Sequence, residues 1–473
     1  MLKKTFVLVL ALLLVTVGLV AAQSGNLPGS GWWSGQQIQN VGTAQTSVLF
    51  TAYNAQGQPF TCGDVKPAAP GQSVNFLTNT DCNVPAGFVG SAVVSADQPI
   101  AAIVNVVNMP SGRAAGMYRG TDGADVANSI AFPLMKNNYF GRSTTLYIQN
   151  ASTSPNTINV SVKVGNGTHT KTFNNVPANA MVLVGPADLS PVMPNNNYGS
   201  ATVTGSGSLA GAALEYESAV ALGSNLHAYT AFGPQDFAVK AYCPLIRNNY
   251  ARLNTGIQAQ NVHNAAQNIK VTYSYRVNNQ GAVLTKEVTK GPVAAGAAVT
   301  FFTPADGLPA GAVGSATVQG MGGGKIAVIV NDETFTLSPN RVAAYTCFPD
   351  AAASNKAALP LYKEFYFGDT SGIQVQNVGG VAANISVTYY PPSGGPVKFT
   401  QNNVAAGASA TFYNVSGSGA VSGDPATLTQ TAGGVVVESN QPIVAIVNEE
   451  PGSKAGTRPA STQDAKLYEG FNQ

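Results

Sequence analysis

A short apolar segment at 98–105, QPIAAIVN, returns at 441–448 as QPIVAIVN and at 325–331 as KIAVIVN. A run of Ile, Val and Ala too short for a stable helix, fenced by Pro or Gly and closed by Asn, predicts a strand buried on both faces. Its recurrence predicts a chain built from copies of one β-rich unit.

Three further phrases recur in fixed order. A strand ending in Gln-Asn is centred on Asn40, Asn150, Asn261 and Asn377, at intervals of 110, 111 and 116 residues. A turn followed by alternating residues surrounds Gly71, Asn179, Gly296 and Gly407. VGSAVV from Val89, YGSATV from Tyr198 and VGSATV from Val313 are answered by the looser GGVVVES from Gly433. Independent phrases at one period define four repeats. Within each, strand signals come every 10–15 residues between Gly- and Asn-rich turns, and Ile385–Tyr389 alternates apolar residues with hydroxyls. Copies two to four open with a Pro-Leu strand (FPLM, CPLI, LPLY), whereas copy one has a shortened start carrying Trp32 and Trp33. Copy two also replaces the IVN strand with LAGAALEYES at 209–218, which marks it as the most diverged.

Seven or eight antiparallel strands in about 110 residues predict an immunoglobulin-like or fibronectin-like β-sandwich. Propeller blades, at about 40–50 residues, are too short for this period. The expected organisation is all-β: a signal peptide at 1–22, then four tandem sandwiches at 23–120, 128–234, 239–350 and 356–473. Extended, such a string would be on the order of 150 Å long.

The leader is read from Lys3 and Lys4, the apolar stretch 6–20 and the small residues Val20-Ala21-Ala22. With no later uninterrupted apolar run of 18 residues, no membrane span is expected in the mature chain. Only 10% of residues are charged and the net charge is +2, which offers nothing to nucleic acid. An even number of cysteines in an exported chain predicts disulfides, Cys62 with Cys82 and Cys243 with Cys347.

Catalytic signals are thin. His169, His227 and His263 are scattered and read as solvent-exposed; Asp332-Glu333 and Glu449-Glu450 read as solvated loop charges. QGMGGGK at 319–325 lacks phosphate-loop spacing and reads as a hairpin turn. Sequons stand at Asn150, Asn159, Asn166, Asn384 and Asn414. No catalytic, cofactor or metal site is expected, and the chain is read as a non-enzyme. At the shortened start, an irregular terminal cap is weighed against an incomplete edge that accepts a strand from a neighbour.

Taken together, QVQNVG, VAAGASATFY, LPAGAVGSATV and QPIVAIVN resemble the tandem Ig-like repeats of secreted or cell-surface bacterial proteins. The resemblance covers 23–473 and transfers no active-site residue. It implies an extracellular structural or adhesive role in a surface layer, stalk or filament, through self-association or other surface components. The alternative is a carbohydrate-binding module in which Trp32 and Trp33 stack on glycans.

Overall fold

A computed structural model describes residues 27–108, 114–217, 225–334, 341–454 and 465–472; the predicted leader lies outside them. The chain is all-β, with antiparallel sheets joined by tight turns, one four-residue helix at Thr78–Asp81 and a few single 3-10 turns.

All four sequence repeats share two strands in the same register. A Gln-Asn strand (Trp32–Asn40, Arg142–Asn150, Leu253–Asn261, Asp369–Asn377) pairs with the recurring apolar strand of its own repeat. Gln39 faces Ala101, Gln149 faces Ala210, Gln260 faces Ala327 and Gln376 faces Val444. The LAGAALEYES segment therefore occupies the same place as the three IVN strands; the position is kept and only the residues differ. In repeats two and four the preceding Gly-Ser or Gly-Gly phrase and this strand are one continuous element, Asn197–Glu217 and Thr431–Pro451. One half of it pairs in each of two layers. In repeat one the element is divided into Ser91–Ala96 and Ile100–Asn108, and in repeat three QGMGGGK divides it. QGMGGGK is thus not a hairpin turn, because the strands on either side of it pair with different partners.

The apolar strand is buried on both faces for a specific reason. Ile326, Val328 and Val330 point into the core of their own repeat, while Ala327 and Ile329 belong to the core of repeat two. Likewise Ile443, Ala445 and Val447 fill repeat four, whereas Val444 and Ile446 enter repeat three. Ile103 joins the core of repeat four, and Ala212 and Leu214 pack with Val106 and Ala114 of repeat one. A strand alternates its side chains between faces; here one face serves its own repeat and the other serves the preceding one. The circuit closes. Strand Ala115–Arg119 packs on Leu226–Thr230, that strand on Val342–Thr346, that on Lys466–Glu469, and the last back on Ala115–Arg119. The repeats form a closed ring, so the length that an extended string would have does not apply.

The recurring polar phrases make the joints. Asn40, Asn150, Asn261 and Asn377 are fully buried. Each donates from Nδ2 to the carbonyl four residues on, at 2.7–2.8 Å, pinning the loop that follows. The turn residues Gly71, Asn179, Gly296 and Gly407 all have φ between 60° and 78°, a region that favours Gly and Asn. That conformation exposes a carbonyl to the neighbouring repeat. Ser91 Oγ donates to Asn179 O at 2.5 Å, Ser200 Oγ to Gly296 O at 2.7 Å and Ser315 Oγ to Gly407 O at 2.6 Å. At the seam between repeats four and one the approach is closer. A Cβ on Gly434 would lie 2.7 Å from Gly71 O, which explains why Gly stands where the other repeats have Ser.

Both disulfides pair as expected, Cys62 with Cys82 and Cys243 with Cys347. The second ties the Pro-Leu strand Lys240–Tyr250 to the residue just after Val342–Thr346.

Candidate functional site

Two features stand out: buried charges where repeats meet, and an unpaired edge in repeat one. The Pro-Leu strands Ala127–Asn137, Lys240–Tyr250 and Ser354–Glu364 each carry a cation three residues after the proline. Each meets an acid at the end of the apolar strand of its own repeat. Lys136 Nζ lies 2.7 Å from Glu215, Arg247 Nε 3.3 Å from Asp332 and Lys363 Nζ 2.8 Å from Glu449. Further pairs cross between repeats: Arg142 reaches Glu333 at 2.7 Å and Arg247 reaches Glu450 at 3.0 Å. Lys466, fully buried, is held by Glu449 and Asp369. Asp332, Glu333 and Glu449 are therefore buried ion-pair partners, and Glu450 a half-buried one, and not solvated loop charges. The neighbouring repeat covers them, which no single repeat's sequence shows.

Burial penalises each of these charges, and the outcome depends on the partners. For Glu333, Lys136 and Arg142 outweigh burial and hold the carboxyl down at about 2. For Asp332, burial prevails over Arg247 and raises it to about 6. Burial pushes the His227 imidazole down to about 4, so it is neutral at pH 7.

His227 and His169 are buried, at 2% and 6% exposure, which corrects the expectation of surface histidines; only His263 is exposed. His169 Nδ1 lies 2.7 Å from Pro191 O. His227, Glu215 and Glu333 also converge, with potential ligand atoms within 4.8 Å of one another. This arrangement does not suit a metal ion. Lys136 and Arg142 already sit against the two carboxylates, and two cations neutralise the negative charge that a divalent ion requires. Nor do these groups face a substrate: all three are buried, the two carboxylates against Lys136 and Arg142, and neither ring nitrogen of His227 has a hydrogen-bond partner.

Repeat one differs. In repeats two to four the Pro-Leu strand pairs with the outer edge of the strand carrying the Gly-Ser or Gly-Gly phrase. It is clamped from the other side by a buried tyrosine. Tyr229 Oη donates to Leu134 O at 2.5 Å and accepts from Leu134 N at 3.3 Å. Tyr345 grips Leu245 at 2.7 and 3.1 Å, and Tyr468 grips Leu361 in the same way. Repeat one keeps the tyrosine, as Tyr118, in the matching register opposite Val104. Among the described residues no Pro-Leu strand is there to meet it. Among the described residues Ser91–Ala96 pairs only with Thr46–Tyr53, which leaves its other edge bare. The result is a groove of about 1940 Å³, lined by Trp33, Val94, Val106, Tyr118, Thr121 and Phe471 among others. Burial alone pushes the Tyr118 hydroxyl up to about 12.

Trp32 and Trp33 are half-buried within the Gln-Asn strand, opposite Asn108 and Val107. Trp32 Nε1 donates to Pro28 O at 2.8 Å and its ring packs on the cluster joining repeats one and two. Trp33 Nε1 is buried without a hydrogen-bond partner. Of the five sequons, Asn150 is fully buried in a joint, while Asn159, Asn166, Asn384 and Asn414 are exposed. Comparison with protein-family models and with curated proteins finds no match for this chain.

Proposed function

We propose that the chain is a non-enzymatic structural or adhesive protein of the extracellular surface, its repeats immunoglobulin-like sandwiches closed into a ring. The observation that carries this reading is how the recurring polar residues are used. The Gln, Asn, Ser and turn residues repeated along the chain build the framework and its joints, and the buried acids and bases neutralise one another. What the ring leaves open, among the described residues, is backbone, the bare edge of Ser91–Ala96. A backbone edge recruits polypeptide by adding a strand. Two disulfides and a nearly uncharged surface suit an exported protein.

The glycan reading is weaker, because the Trp32 ring is engaged in packing and its N–H is already bonded. Light scattering and electron microscopy of the secreted chain test the proposal. Assembly with itself or with extracts of its native surface is expected. A strict monomer that captures no surface component at any concentration would overturn it.

A further inference from the structure

We infer that the groove in repeat one is a receptor for one extended, uncharged segment of a different protein chain, inserted as the missing strand. The inference rests on the reading of the chain as an assembling surface protein for its setting, and on the groove itself for its chemistry.

Both walls of the slot are present. On one side, Ser91–Ala96 offers the edge that Asn197–Thr204, Ala312–Gly320 and the first half of Thr431–Pro451 use to bind their Pro-Leu strands. On the other side stands Thr121, at the place where Phe232 pairs with Ala131, Phe348 with Tyr242 and Phe471 with Ala358. Tyr118 stands where three other tyrosines grip a strand by its backbone N–H and C=O. Three separate contacts made by an inserted strand elsewhere in the ring are thus prepared here. The groove is also larger than the roughly 300–1,000 Å³ of a small-molecule site, as a strand requires.

Charge decides what kind of strand fits. Each Pro-Leu strand of this chain carries Lys136, Arg247 or Lys363, and each cation meets an acid. The matching position in repeat one is Val106, placed by its register opposite Gly116, as Glu215 is opposite His227 and Glu449 opposite Lys466. A cation buried beside Val106 would have no acid to compensate it. Pro-Leu strands from a second copy are therefore the wrong donors. A leader removed after Ala22 would leave only residues 23–26 ahead of Leu27, against 11 residues in Ala127–Asn137. The donor is a foreign chain with an apolar or neutral residue facing Val106.

Titration of the full secreted chain, disulfides intact, with synthetic peptides tests this. One peptide has the sequence of Ala127–Asn137 with Lys136→Val; the other keeps the lysine. The neutral peptide is expected to bind one to one and at least tenfold tighter than its parent. Tyr118→Phe should weaken it about tenfold, by loss of the two clamp hydrogen bonds. Val106→Glu should reverse the preference between the peptides.

Absence of binding overturns the inference, whether the slot is closed or filled by residues 1–26 of the chain itself. Equal binding of both peptides, or indifference to Tyr118→Phe, overturns it too. A homo-oligomer dissolved by the peptide would name a second copy as donor and overturn the foreign-chain assignment. Should peptide binding fail while the chain still assembles, only this inference falls; a monomer that binds the peptide but captures no surface component leaves the inference and removes the wider reading.

Discussion

At the scale of single residues, the buried charges are the most sensitive points of the molecule. Arg247→Met removes the partner of both Asp332 and Glu450. Stranding the buried Asp332 costs about 3–5 kcal/mol, measurable as a fall in the denaturant midpoint at unchanged slope. His227 sets an acid limit. Its folded pKa of about 4 lies below the ordinary value of 6.5, so the unfolded chain takes up the proton first. Its contribution is intact above pH 6.5 and is lost as pH falls toward 4, on the order of 3 kcal/mol by linkage. Asp332, raised to about 6, works in the opposite sense, its protonated form being favoured in the fold as pH falls through 6. His227→Ala, which places at this site the residue repeat three has as Ala343, should lessen the loss of stability between pH 6.5 and 4. Denaturation at several pH values checks it, and an unchanged pH profile would exclude His227 as the source.

The cations and acids were half legible in the sequence. PLMK, PLIR and PLYK place a base three residues after each proline, and Glu215, Asp332 and Glu449 follow their strands at one fixed position. Repeat one lacks both members. That joint absence signals pairing, whereas reading each acid alone suggests a solvated loop.

At the scale of elements, the apolar strand does two jobs with its two faces. Ile329→Ala truncates a side chain that lies in the core of repeat two although it belongs to repeat three. It should cost about 2–5 kcal/mol; a change under 0.5 kcal/mol in thermal melting would mean that this face is not buried. The tyrosine clamps give a paired comparison. Tyr345→Phe strands the backbone N–H and C=O of Leu245, at about 1–3 kcal/mol for each buried group. Tyr118→Phe has no clamped strand to lose and should lie within about 0.5 kcal/mol of the parent. Periodicity revealed the strands and their double burial. It could not reveal which chain segment covers the second face, because strand pattern records burial and not the identity of the neighbour.

At the scale of the whole molecule, four β-rich sequence repeats could form a string or a ring, and the linkers alone do not decide. The joints decide. Gly116 leaves room for Ala228, whose Cβ would lie 3.3 Å from an added Cβ, and Thr230 Oγ1 donates to Arg119 O at 2.5 Å. At the seam, Arg119 lies over the Phe471 ring at 5.6 Å and Ser73 Oγ donates to Pro360 O at 2.8 Å. A compact chain of this length has a radius of gyration of about 22 Å. A string of the anticipated length would show on the order of 40 Å. Small-angle scattering separates the two, and a value near the larger one would refute closure.

Closure also fixes how the molecule bears load. Leu27 and Phe471, near the two ends of the described chain, line the same groove beside the seam. Tension applied between the ends does not stretch the repeats in series; it acts across the joint between repeats four and one. That joint is therefore the mechanical fuse of the ring. A strand lying in the groove spans its mouth, so an occupant would stiffen the ring at the place where pulling would otherwise open it.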